Sequence, residues 1–109
     1  MDDRAHKIGA NEALFREVNE RIEEVAESFG LESQLDIVCE CGDAACTERI
    51  ALTRDEYTAI RKHPALFAIY PGHEAPDVET VVAKHGGYEV VRKHVGAPEA
   101  LAEAADPRS

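Results

Sequence analysis

LDIVCECGDAACTERIALTRDEY, residues 35–57, holds all three cysteines of the chain and two changes of periodicity. From Leu35 to Cys41 the residues alternate, which sets Leu35, Ile37, Cys39 and Cys41 on one face of a strand and Asp36 and Glu40 on the other. Residues 46–52 read as a second strand with Cys46, Ile50 and Leu52 on one face. Between them GDAA supplies Gly42 and Asp43, a pair suited to a hairpin connection. At Thr53 the period becomes helical. Its hydroxyl can cap the backbone while Glu56 reaches back, and Leu52 can staple onto Tyr57 across the first turn.

The sulfurs converge if this hairpin is regular. Cys39 and Cys41 point to one side, and Cys41 then stands opposite Cys46 with Cβ atoms about 4.5–5.5 Å apart. Zinc takes four tetrahedral Cys and His ligands, so three thiolates ask for one more donor. Three thiolates around a dication leave a charge of −1, which a neutral imidazole completes without adding to it. Of the five histidines, His6 falls in the N-terminal lead-in and His63 stands beside Arg61 and Lys62, whose charges oppose a cation. His73 is the first candidate. It lies in PGHEAP, a compact loop between Pro71 and Pro76, and Glu74 beside it can accept a bond from the ring N–H. His85, next to a Gly-Gly turn, ranks second and His94 third. The competing reading is plain core cysteine, since Cys39 shares a face with Leu35 and Ile37 and free cysteine is among the most buried residues.

Working outward, NEALFREVNERIEEVAESFG places Leu14, Phe15, Val18, Ile22, Val25, Ala26 and Phe29 at helical spacing. This predicts a helix over 11–29, capped by Asn11 and ended by Gly30, with its apolar stripe facing the core. Pro64 ends the second helix near His63. LFAIY then reads as a short strand. Residues 78–95 form two β-rich arms around Gly86-Gly87, although Val78, Val81 and Val82 also fit a short helical stripe. The tail forms a short helix from about Pro98. The expected fold is α+β: the long helix and a shorter one packed on a small, mainly antiparallel sheet. The expected organisation is a mobile lead-in over 1–10, one metal-binding domain over 11–96 and a helical tail over 97–109.

The 109 residues carry 22 acidic and 12 basic side chains, a formal charge of −10, with 44% hydrophobic content. That charge repels nucleic acid and anionic membranes and suits a protein partner with a basic face. The triplets RKH at 61–63 and 92–94 are read as solvated faces against this balance. The N-terminus lacks an apolar signal region and no run is long enough to span a membrane, so a cytoplasmic chain is expected. In a reducing compartment, clustered thiols serve as ligands or redox groups more often than as disulfides.

The helix motif, VCECGDAACTERIALTRDEY, PGHE and the closing DPRS together resemble a family of small bacterial proteins recorded as hypothetical. The resemblance spans nearly the whole chain. It implies a self-contained unit of about this length with Cys39, Cys41, Cys46 and His73 at its motif positions, and it implies no activity. The C-x-C start also resembles [2Fe-2S] proteins of the CDGSH type, which use three cysteines and one histidine. There the third cysteine and the histidine sit close together in one short motif, unlike Cys46 and His73. Three functions follow in order. The first is a non-catalytic zinc-stabilised regulatory or adaptor module; the second is a redox protein using a dithiol or a [2Fe-2S] site. A zinc hydrolase with Glu74 as base is the weakest, since no H-E-x-x-H is present.

Overall fold

The alternation in residues 35–52 produces a hairpin, β1 (Leu35–Val38) and β2 (Arg49–Leu52), paired antiparallel with Leu35 opposite Leu52 and Ile37 opposite Ile50. The computed structural model describes residues 3–28, 30 and 34–108. Around the hairpin lie α1 (Asp3–Ser28), α2 (Arg54–Arg61), β3 (Leu66–Ile69), β4 (Glu79–Lys84), β5 (Glu89–Lys93) and α3 (Ala97–Ala104). The fold is α+β, with two small antiparallel sheets in place of the single sheet expected: β1-β2, and β3-β5-β4. The residues around Gly86-Gly87 form a β-hairpin, so the helical option for the first arm is not taken up. Gly86 sits at φ +77°, where a side chain would be strained. The radius of gyration, 13.0 Å, matches a single domain of this length.

The second helix starts as its sequence demands. Thr53 Oγ1 accepts from Glu56 N–H at 3.0 Å and Glu56 Oε1 accepts from Thr53 N–H at 2.7 Å, a closed capping box. Leu52 and Tyr57 are both buried in the main apolar core, together with Leu35, Ile37, Ile50, Ile60, Ala68 and Val90.

Two expectations for α1 are corrected. It begins at Asp3, so residues 3–10, expected to precede the helix, belong to it, and Ile8 is buried. Asn11 is no cap; its side-chain amide donates to Gly42 O at 2.8 Å. The second correction concerns the buried face. It consists of Ile8, Glu12, Arg16, Asn19, Glu23 and Ala26, while Leu14, Val18 and Val25 are exposed. Of the predicted stripe, Ala26 is buried and Ile22 packs at the core margin; Phe29 lies outside the described residues. Hydrophobic periodicity cannot register polar side chains that meet buried partners, as Glu12, Arg16 and Asn19 do here, while Glu23 pairs with the partly exposed Arg54 at 3.3 Å.

Those partners form two ionic links. Arg16 Nη2 meets Glu40 Oε1 at 3.2 Å, Asn19 Nδ2 donates to Glu40 Oε2 at 2.9 Å, and Tyr57 Oη donates to Glu40 Oε2 at 2.7 Å. Arg16 also donates to the carbonyls of Pro64 and Leu66 and lies 3.7 Å from the centre of the Phe67 ring. Burial and the Glu40 charge push the Tyr57 hydroxyl well above its ordinary range. The second link sets Lys93 Nζ between Glu12 Oε1 at 2.8 Å and Glu79 Oε1 at 2.9 Å. Glu40 also joins the two sheets, since its N–H donates to Ala68 O at 2.8 Å and its Oε1 accepts from Ala68 N–H at 3.1 Å.

Candidate metal centre

The site grows from the end of β1. Regular pairing stops at Val38 opposite Arg49, with one further rung from Cys39 N–H to Glu48 O at 3.0 Å. Continuing that register by three residues would set Cys41 opposite Cys46, but the chain leaves the ladder first and rounds a turn. In that turn Asp43 Oδ1 accepts from Ala45 N–H at 2.9 Å and Asp43 O accepts from Cys46 N–H at 3.0 Å. The expected regular hairpin is thus replaced by a wider loop that still brings the sulfurs together. With Glu40 held by its backbone and carboxylate on one side, Cys39 and Cys41 are presented on the other. Both are 2% exposed, while Cys46 is half-buried.

His73 comes from the loop after β3. Its N–H donates to Tyr70 O at 3.1 Å, closing a turn with Pro71 second and Gly72 third at φ +85°. This is the type II pattern, which favours proline and requires a positive φ at those two positions. Gly72 N–H donates to Glu89 Oε1 at 3.2 Å, tying the turn to β5. The turn delivers His73 Nδ1 to 3.7 Å from Cys39 Sγ and 3.6 Å from Cys46 Sγ.

Cys39, Cys41, Cys46 and His73 each offer a donor atom, and the four atoms lie within 4.8 Å of one another, so together they can hold a metal ion. A tetrahedral zinc with sulfur at about 2.3 Å and nitrogen at about 2.0–2.1 Å spaces S and N by roughly 3.6 Å. The two S···N distances match that spacing. Backbone supports the sulfur set as well, since Tyr70 N–H donates to Cys39 Sγ at 3.1 Å.

Without a cation the three thiols divide protons unequally. Cys39 donates to Cys41, which pushes the Cys39 thiol far up, with burial adding to the rise. The same bond brings Cys41 down to about 5. Burial raises Cys46. A metal ion held by these residues would replace the shared protons and draw all three sulfurs toward thiolate.

The other histidines lie apart from this group. His85 stacks on Tyr88 with ring centres 4.7 Å apart, and His94 Nε2 lies 2.9 Å from Thr80 Oγ1. Among the described residues Glu74 makes no hydrogen bond to the His73 ring; the nearest ring is that of Tyr70, 5.2 Å away and tilted. Sequence reasoning did not identify Asn11 and Ile8, which hold the cysteine loop from α1. A Cβ on Gly42 would lie 2.5 Å from Ile8 Cγ2, so only glycine fits under the helix there. The signal was present in Gly42 itself, which reads as a turn residue but also permits close approach. No described helix is long and apolar enough to cross a membrane. Comparison with family models, curated proteins and solved structures gives no match.

Proposed function

We propose that the chain is a zinc-stabilised module that works without catalysis, as a regulatory or adaptor unit binding a protein partner. The observation that carries the reading is the closed donor set: three sulfurs and one imidazole nitrogen within 4.8 Å of one another, with Cys39 and Cys46 at the S···N spacing of one tetrahedral ion from His73. Four protein ligands leave zinc no position for water or substrate, which is the character of a structural site. Two of the donors are buried in an apolar cluster with Phe67, Ile69 and Val91, where an ion would tie β1, the cysteine loop and the His73 turn together. The net charge of −10 favours a partner with a basic face and disfavours nucleic acid. Three free thiols in such a site suit the reducing cytoplasm.

A dithiol redox role is the second reading, favoured by the low-lying Cys41 thiol beside a protonated Cys39. A [2Fe-2S] cluster divides its four ligands between two irons and needs them spread wider than one ion does; donors within 4.8 Å favour the single ion. Elemental analysis of protein purified without added metal tests all three. One zinc per colourless chain, lost in Cys46→Ser, is the expected result. Iron with visible absorbance would select the cluster, and metal-free protein with a reversible dithiol titration would select the redox role.

A further inference from the structure

A helix in a small domain normally buries its apolar stripe, and α1 does the opposite. Leu14 is 57% exposed, Val18 40% and Val25 56%, while charged residues fill the inner face. An exposed apolar strip is the informative kind of departure, because it leaves a burial term unused. Val18, Ile22 and Val25 form one wall of a shallow, open groove of about 540 Å³ whose other side is the start of β1 at Leu35, and a second open depression, lined by Leu14 and Glu17, adjoins it at Val18 and Arg21.

We propose that this groove docks an amphipathic helix of a partner protein whose apolar stripe is flanked by lysine and arginine. The proposal deepens the adaptor reading by giving the basic partner a place and a shape, and none of its residues is a metal ligand. Its length fits: the eleven-residue step from Leu14 to Val25 spans about 17 Å, three helical turns. Its ridge fits too, because Leu14, Val18 and Ile22 lie along an i, i+4 row into whose grooves a second helix packs.

An added strand does not fit. At Val38 the free edge of β1 is already satisfied, with Asn19 Oδ1 accepting from Val38 N–H at 2.8 Å and Asn19 Nδ2 donating to Val38 O at 2.9 Å. Asp36 O accepts from Arg49. The rim supplies the sign of the partner. Glu17 and Glu24 border the strip and enter no ion pair among the described residues, and Asp36 stands across the groove with only an exposed 3.4 Å contact to Arg49. Among the described residues Arg21 is the sole cation lining either depression. A second copy would bring two such acidic rims together in chains of charge −10 each, which Coulomb repulsion opposes. A lysine-flanked helix meets the same rim favourably.

The test uses full-length, metal-loaded protein and a synthetic leucine/lysine peptide of roughly 18 residues with leucines at helical spacing. The control has the same composition scrambled to destroy the apolar face. Amide NMR shifts should move at Val18, Ile22, Val25 and Leu35, with affinity at least tenfold above the scrambled peptide. Leu14→Ser with Val25→Ser, both at exposed positions, should cost tenfold or more without lowering the melting temperature. Glu17→Lys with Glu24→Lys should weaken binding similarly, and added salt should reduce it. Equal binding of the scrambled peptide, or indifference to the serine pair, would overturn the proposal. So would a dimer in sedimentation that the serine pair dissociates, which would make the occupant a second copy. The groove spectrum changing on Phe29→Ser with Leu31→Ser, without peptide, would assign the strip to the chain's own segment and also overturn it. Salt-sensitive shifts confined to another face would remove the groove while keeping a basic partner, and zinc stoichiometry reports on the metal independently.

Discussion

The two hairpins of this fold are closed by different physics. In β4–β5 the turn closes itself: His85 N–H donates to Tyr88 O at 2.9 Å, and Gly86 takes the positive φ the turn needs. In β1–β2 the ladder stops at Cys39, and the loop to Glu48 is organised around three sulfurs and a histidine from elsewhere in the chain. Each hairpin is linked to α1 by a buried ionic contact, Glu40 with Arg16 in the first and Lys93 with Glu12 and Glu79 in the second. Stereochemistry therefore closes one hairpin locally, whereas the other depends on donors distant in sequence and on what they bind.

Metal removal should separate the two most sharply. Structural zinc contributes about 10–16 kcal/mol of apparent binding energy in small domains, so chelation or Cys46→Ser should lower stability by on the order of 5 kcal/mol or more. Hydrogen exchange should then rise across residues 39–48 and stay slow at the β4–β5 strands until global unfolding. His73→Ala should weaken metal retention at least tenfold, and His85→Ala should leave it unchanged. Uniform loosening of both hairpins on chelation would erase the distinction.

Next in size is Glu40→Gln, which strips the charge facing buried Arg16 and should cost about 3–5 kcal/mol in urea unfolding. Zinc stoichiometry should remain one per chain, because the glutamate is not a ligand. Gly42→Ala drives a methyl into Ile8 and should cost about 1–3 kcal/mol, part of it recovered by adding Ile8→Ala. Failure of that rescue would mean that the loop, and not the helix contact, demands glycine.

The link on the second hairpin should show itself in pH dependence. Burial pushes the Glu12 carboxyl up to about 8, and its Oε2 has no partner among the described residues. A carboxyl that holds its proton more tightly folded than unfolded favours folding below its unfolded value of about 4.5; that contribution is lost as pH rises through about 8. Glu12→Gln should flatten this decline between pH 5 and 9 (roughly), and an unchanged slope would assign the decline to other groups. Smallest is Gly86→Ala, expected to cost about 1–2 kcal/mol through its φ of +77° with no effect on metal content.

What the sequence revealed follows the same division. Local chemistry was legible: the Thr53–Glu56 capping box, the glycine turn of β4–β5, the end of α2 before Pro64, and a PGH turn that presents His73. The convergence of Cys39, Cys41, Cys46 and His73 was legible because three thiolates able to hold an ion ask for a fourth donor. The long-range polar pairs were not. Glu40, between two cysteines on an alternating strand, reads as a solvent-facing residue until α1 is found to cover it with Arg16 and Asn19. The same pairing hid the true inner face of α1, since a sequence pattern carries no information about which charges will meet across a core.

The inverted face of α1 also bears on how the chain reaches this state. During collapse, Leu14, Val18 and Val25 would compete for the same apolar surface that Ala26 and Ile22 finally meet, so a half-rotated docking of α1 is a predicted trap. That arrangement would bury Leu14, Val18 and Val25 but strand Glu40 without Arg16, Asn19 and their hydrogen bonds, which would make it the higher state once water has left. Escape requires α1 to withdraw and turn, a rate set by how strongly the wrong face adheres. Weakening that adhesion with Leu14→Ser and Val25→Ser should therefore speed refolding while leaving unfolding almost untouched.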